Sequence, residues 1–324
     1  MAQTKEHKTP ELGCVIEAPD ERDYKYEILL GAGTKELPDE YVIEDVPHFY
    51  QNGIDACVGM AGIAAKSVQE KTKLSPRYAW HLAKKRQNYI GWGTGISQMM
   101  KGIIEEGALP YGTIDEEVVG VDRMHYMKPE ITAGMQEVAK HYKAKSFWRA
   151  GYGHGQIEQV KQALYNEKIP LVVSMYWYAE YDRPVKGFIP KPKLARYGHA
   201  FVVKGWKKDK AGREYIVFQN SWSNKWGDKG DFYIYTDELQ HYKLESFFVI
   251  TDIEKPKARI LANLDGKLVR NANHPAHYFV SAGKIAWIKN EESFYFGRDG
   301  KFWGDWSDTV VVEENLQEMY DLVF

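Results

Sequence analysis

Cys14 and Cys57 are the only two thiols in a chain of 324 residues, and Cys57 stands where a thiol could act as a nucleophile. It opens the segment Cys-Val-Gly-Met-Ala-Gly-Ile-Ala-Ala-Lys-Ser-Val-Gln-Glu, whose small and apolar residues read as a buried helix. A thiol in the first turn of a helix faces the positive end of the helix dipole, which favours the thiolate. Attack on an acyl carbon also needs a proton acceptor, a group that holds the acceptor, and donors for the oxyanion. His199 is a candidate acceptor, at the start of the apolar run Ala200-Phe201-Val202-Val203. Asn220 follows another apolar run and precedes Trp222 and Trp226. Gln51 lies six positions before Cys57. Taken singly, each has a plainer role: a small buried hydrophobe, a structural histidine, a turn with aromatic packing.

Taken together they form a pattern. Gln51-Asn52-Gly53-Ile54-Asp55-Ala56-Cys57 resembles the Gln-Gly-x-x-x-x-Cys of the papain family of cysteine peptidases. The run from Gly198 to Trp206 resembles that family's His-Ala followed by a strand and Gly-Tyr or Gly-Trp. Asn220-Ser221-Trp222-Ser223-Asn224-Lys225-Trp226-Gly227 resembles its Asn-Ser-Trp-Gly-x-x-Trp-Gly. The order Gln, Cys, His, Asn agrees, and the resemblance covers residues 45 to 250. It implies an α+β fold of two lobes, one helical and one an antiparallel barrel-like sheet, with substrate between them. It further implies a catalytic Cys57, His199 and Asn220, an oxyanion hole using Gln51, and Trp222 shielding the His199–Asn220 hydrogen bond. Gly93 and Gly95 would line the substrate cleft, where a plain turn is the competing reading. The implied reaction is hydrolysis of a polypeptide through an acyl-enzyme thioester, with no cofactor and no metal.

Several positions depart from the family pattern. Val58 stands where Trp is usual, Asp55-Ala56 where Gly-Ser is usual, and Asn52 where Gly is usual. The family's disulfide cysteines are missing, as in a disulfide-free branch of bacterial and phage-type relatives. A carboxylate at Asp55 would raise the pKa of a neighbouring thiol. Two other readings therefore stay open: an inactive papain-fold structural or binding protein, as in a phage particle, and an amidase acting on cell-wall peptides.

The elements that must position these residues are legible from pattern. Helices are expected from Cys57 to Glu70, from Pro76 to Arg86 with Ser75 as cap, from Ser97 to Glu106 stopped by Gly107, and from Gln156 to Asn166. Strands are expected in the β-branched and aromatic runs from Ile169, Ala200, Glu214, Asp231 and Ser246. Helices first and strands afterwards suggest two lobes of one domain over residues 46–252. Residues 1–45 read as an extended leader, too short for a full helical inhibitory propeptide, so no zymogen control is expected. Cys14 reads as an exposed thiol, and a disulfide to Cys57, which would block catalysis, is not expected.

Residues 258–324 read as a separate, small, β-rich end segment. Lys267-Leu-Val-Arg, His277-Tyr-Phe-Val, Gly283-Lys-Ile-Ala-Trp-Ile, Glu292-Ser-Phe, Trp303, Trp306 and the valines from Val310 resemble a module appended to bacterial and phage surface proteins. Its aromatics would bind a protein or a carbohydrate, or form its core. The formal net charge of −2 argues against a nucleic-acid partner. The polar N-terminus is unlike a signal peptide, and no apolar run reaches a membrane-spanning length. The expected location is the cytoplasm or a virion.

Overall fold

Alternation along two neighbouring strands divides the core of the first unit. In the computed structural model, Val172, Ala200 and Val202 face one apolar cluster, while Leu171, Val173, Phe201 and Val203 face a second. Side chains on a strand alternate faces, so one sheet separates the two clusters. The structure describes residues 13–18, 35–87, 91–116, 125–126, 128–193, 195–252, 267–271, 277–281, 284–288, 309–312 and 321–323. The chain divides into two units, Met1–Asp252 and Ile253–Phe324.

In the first unit, β1 (Tyr41–Val42) precedes three helices: α1 (Cys57–Glu70), α2 (Pro76–Arg86) and α3 (Ile96–Glu105). Then come α4 (Ala133–Ala139), β2 (Ser146–Tyr152), α5 (Ile157–Glu167), β3 (Leu171–Tyr178), β4 (Ala195–Lys208), β5 (Glu214–Gln219), β6 (Asp231–Tyr235) and β7 (Leu244–Thr251). The sheet order is β2-β7-β3-β4-β5-β6, antiparallel between neighbours, with β1 pairing to β4.

Helix α1 is enclosed because its sequence allows close approach on every side. Each residue from Cys57 to Ser67 is buried. A Cβ added at Gly59 would meet the Pro76 carbonyl and Trp80, and one added at Gly62 would meet Met99, so α2 and α3 pack directly on its backbone. Helix α2 starts where the Ser75 hydroxyl accepts the Tyr78 N–H, with Pro76 in the first turn. Ser75→Ala is expected to lower stability by about 1 kcal/mol in chemical denaturation, since it removes a buried cap.

The loop leading into α1 also has a local cause. Asn52 has a φ of 42° and Gly53 one of 83°. Asparagine is among the few non-glycine residues that accept this left-handed region, so Asn52 can stand where the family pattern has glycine.

The second unit contains a five-stranded sheet ordered β11-β8-β9-β10-β12, formed by β8 (Leu268–Asn271), β9 (His277–Ser281), β10 (Lys284–Trp287), β11 (Val310–Val312) and β12 (Asp321–Val323). Leu268, Val269, Tyr278 and Ile288 are buried. Gly283, Glu292-Ser-Phe, Trp303 and Trp306 lie outside the described residues. Among the described residues, no helix is long and apolar enough to cross a membrane.

Candidate active site

Three elements converge on Cys57. The first turn of α1 carries the thiol, β4 carries His199, and the turn after β5 carries Asn220. His199 Nε2 lies 2.7 Å from Asn220 Oδ1, with both side chains buried. That contact orients the ring and leaves Nδ1, which has no hydrogen-bond partner. The N–H of Ala200, the residue after His199, is directed at the Cys57 sulfur, as are those of Gly13 and Val58. The thiol therefore sits beside the strand position that carries the imidazole.

Aromatic rings enclose this pair. The Trp222 ring centroid is 5.7 Å from that of His199, and Trp222 is buried. Trp177 on β3 comes closer, 4.9 Å from His199 and edge-on, and it also contacts Trp222 and Trp226. Trp177 Nε1 donates to Asp182 Oδ1 and Trp226 Nε1 to the Asp182 carbonyl, which holds both indoles in place. Trp177 carries no motif of its own. Only its position identifies it: Trp177 pairs with Tyr197 across the β3–β4 pair, one same-face step from Met175, the residue opposite His199.

Gln51 is fully buried and held at three points. Its backbone N–H donates to the Ser221 carbonyl at 2.9 Å, and its side-chain Nε2 donates to the Ile54 carbonyl at 2.9 Å. The Ser221 hydroxyl donates to Gln51 Oε1 at 2.5 Å. With the amide oxygen engaged by Ser221, the amide nitrogen is fixed as a donor group. Ser221 is thus a positioning residue, and its place directly after Asn220 was the sequence signal for it. Ser221→Ala is expected to lower kcat about 3- to 20-fold through loosened positioning, with KM little changed, as steady-state kinetics would show.

The titration of the pair runs against the thiolate that a helix start favours. Burial pushes the Cys57 thiol up to about 12, opposed by the three backbone N–H groups, and the Asp55 charge adds a smaller upward push. Burial lowers His199 to about 4, opposed by the Asn220 hydrogen bond. Both groups are therefore neutral at pH 7 in this conformation. Asp55 itself is raised to about 6 by burial, opposed by Lys84, so its electrostatic effect is secondary to desolvation.

The leader adds to this burial, since Gly13 packs on the Asp55 backbone and its N–H is directed at Cys57. Residues 13–17 lie between the Thr94–Ser97 segment and Gly198. The Thr94 N–H donates to the Gly13 carbonyl at 2.9 Å, and the Val15 N–H donates to the Thr94 carbonyl at 2.9 Å. From the opposite wall, the Gly198 carbonyl accepts the Cys14 N–H at 3.1 Å. The Glu17 carboxylate accepts the Ser97 N–H at 2.8 Å and the Ser97 hydroxyl at 2.5 Å, at the start of α3. Gly93 and Gly95 lie against this strand: a Cβ at Gly93 would come within 2.8 Å of the Gly13 carbonyl, and one at Gly95 within 2.4 Å of the Glu17 carboxylate. The glycine stretch is braced from α2, since Lys84 donates to the Gly91 and Gly93 carbonyls and Gln87 Oε1 accepts from Thr94 Oγ1 and the Gly95 N–H. Cys14, expected as an exposed thiol, is only 7% exposed.

Among the described residues, no group of three or more His, Cys, Asp or Glu could hold a metal ion. The arrangement sets a thiol beside the strand position that carries an imidazole, next to a fixed amide donor.

Residues 91–251 match the family described as papain family cysteine protease. The matched stretch includes His199, Asn220 and Trp222 and begins after Gln51 and Cys57. Among solved structures, the chain is similar to xylellain, a cysteine protease from Xylella fastidiosa, with a TM-score of 0.60 and 20% identity over 75% of this chain and 96% of that one. It is similar to digestive procathepsin L2 proteinase from the larval midgut of Tenebrio molitor, with a TM-score of 0.59 and 16% identity over 75% and 78% of the two chains. The bromelain protease from Ananas comosus, solved in complex with the E64 inhibitor, gives a TM-score of 0.50 and 18% identity over 66% and 99%. At these identities the likeness is one of fold, and it is the two-lobed α+β fold expected from the sequence. None of the curated proteins matches the chain.

Proposed function

Because the chain belongs to the papain family of cysteine proteases, matched over residues 91–251, we propose that it hydrolyses peptide bonds with Cys57 as nucleophile, His199 as base and acid, and Asn220 as the group that orients His199. The observation that carries this assignment is the buried 2.7 Å contact between His199 Nε2 and Asn220 Oδ1, which leaves Nδ1 unpartnered on the ring whose neighbouring N–H faces the Cys57 sulfur.

In this reading, a peptide replaces the leader between the Gly93–Gly95 stretch and Gly198. Departure of the leader admits water, removes much of the desolvation, and lets the thiol proton pass to His199 Nδ1. The thiolate attacks the carbonyl carbon. The oxyanion receives hydrogen bonds from the Gln51 amide and the Cys57 backbone N–H. The imidazolium then protonates the leaving amine as the tetrahedral species collapses to a thioester. Water, deprotonated by His199, hydrolyses that thioester and restores the thiol. Trp222 and Trp177 keep water from the His199–Asn220 hydrogen bond throughout.

The substrate class is separated from the wall-amidase alternative by offering two substrates to the reduced protein. Fragmentation of casein, followed by a peptide-library cleavage profile, supports the proposal. Release of wall peptides from purified sacculi with casein intact would replace it with an amidase.

A further inference from the structure

Cys14 has no role in the hydrolysis described above, yet the fold places it inside the cleft. Its N–H donates to the carbonyl of Gly198, the residue before His199. Its neighbour Gly13 directs an N–H at the Cys57 sulfur. A Cβ on Gly13 would come within 2.0 Å of the Asp55 carbonyl oxygen, so the leader backbone lies directly on the loop that enters α1. Cys14 is one residue further, a Cα step of about 3.8 Å. Both thiols are buried in the same apolar cluster, and both are free.

We propose that Cys14 and Cys57 form a reversible disulfide under oxidising conditions, which fastens the leader in the cleft and withdraws the nucleophile until a reductant restores both thiols. The proposal rests on Cys57 being the reactive thiol of the preceding section. It also revises the expectation that these two cysteines would not pair.

The step balances with a peroxide as oxidant. When the leader lifts, Cys57 ionises against His199, and its thiolate attacks one peroxide oxygen. The O–O bond breaks, a Cys57 sulfenic acid forms, and the other oxygen leaves as water after taking a proton. As the leader reseats, the Cys14 thiol attacks the sulfenic sulfur. The S–S bond forms, the sulfenic oxygen leaves as a second water, and two electrons in all have passed from the two thiols to the peroxide. A dithiol reductant reverses this by thiol–disulfide exchange.

The test uses the intact, reduced chain exposed to equimolar hydrogen peroxide, then thiol blocking and non-reducing tryptic mapping. Arg22 and Lys25 ensure that Cys14 and Cys57 fall in different tryptic peptides. The expected result is a linked Cys14–Cys57 peptide pair that dithiothreitol separates. In parallel, wild type, Cys14→Ser and Cys14→Ala, the variants checked for folding by circular dichroism, are treated with an about tenfold molar excess of peroxide, since sulfinic acid formation consumes a second equivalent, and then reduced. Recovery of Cys57 alkylation is expected to be at least about 5-fold lower in these variants than in wild type, because their sulfenic acid has no resolving thiol and oxidises further. Oxidised Cys57 without any linked peptide in wild type, or equal recovery in all three proteins, overturns the proposal. Because linkage is read by mass and not by cleavage, a chain that cleaves no peptide while still forming the link overturns the peptidase reading alone.

Discussion

Cys57→Ala is expected to reduce kcat/KM for peptide cleavage by about 10⁴-fold or more while leaving the protein folded. The fold should survive because the side chain is small and its surroundings are apolar: loss of one buried sulfur beside Ala56, Val58 and Ala200 costs on the order of 1 kcal/mol. Activity should not survive, because no other group in the site can form the thioester. Cys14, the other thiol, belongs to the leader and leaves the cleft with it. Cys57→Ser gives a second comparison, since a hydroxyl beside a neutral His199 is a far weaker nucleophile than a thiolate. Cleavage by the purified variants, with circular dichroism to confirm folding, checks both. Residual cleavage within about 10-fold of wild type would mean that another group carries the reaction.

Gly13→Ala is expected to act in the opposite direction and raise activity. The added methyl would lie 2.0 Å from the Asp55 carbonyl oxygen and 2.6 Å from the Asp55 Cα. These are backbone atoms of the loop that carries Cys57, so relief requires the leader to move away. A steric penalty of about 1–3 kcal/mol corresponds to a roughly 5- to 150-fold shift toward the open cleft. The gain should appear in the rate of Cys57 alkylation as well as in peptide cleavage.

The pH dependence of that gain has a definite sign. With the leader seated, the thiol titrates at about 12. Alkylation of the seated form therefore rises about tenfold per pH unit from neutrality upward. In the open form, water and His199 stabilise the thiolate at lower pH. The advantage of Gly13→Ala is thus largest near pH 7 and shrinks as the pH rises. Equal alkylation rates for the two proteins across this range would show that the leader does not limit access.

Much of the framework was readable because local and tertiary signals agree. Helix α1 has the expected bounds, since Ala, Gly and Met suit a helix packed on every side, and α2 begins at Ser75-Pro76, where cap and first-turn proline reinforce each other. Strand β6 also has the expected bounds. Strand β2 was missed because Arg149 and Gly151 interrupt its alternation, and its pairing with β7 shifts register at that point. Strand β4 starts earlier than expected, at Ala195, because Tyr197 and Gly198 pair with Trp177 and Tyr176 across the sheet despite offering no apolar run.

Within the site, motif order brought Cys57, His199, Asn220 and Gln51 to attention, whereas their environment was not legible. Burial outweighs the Asp55 charge in raising the Cys57 thiol, and no local pattern reports burial by a distant segment. The seat of residues 13–17 was hidden for the same reason. Their hydrogen bonds go to Thr94, Ser97 and Gly198, so periodicity within the leader carries no trace of them.

Cys57 acts, on the proposed mechanism, as a thiol nucleophile served by His199 in a cleft the leader closes. The most direct measurement is to incubate reduced wild-type protein and the Gly13→Ala variant with an epoxide-type thiol-peptidase inhibitor at neutral pH, and to locate the adduct by peptide mass mapping. One adduct is expected, on Cys57, formed faster in Gly13→Ala and lost when His199 is replaced by alanine. An adduct on Cys14 alone, or an unmodified Cys57 in both proteins, would contradict it.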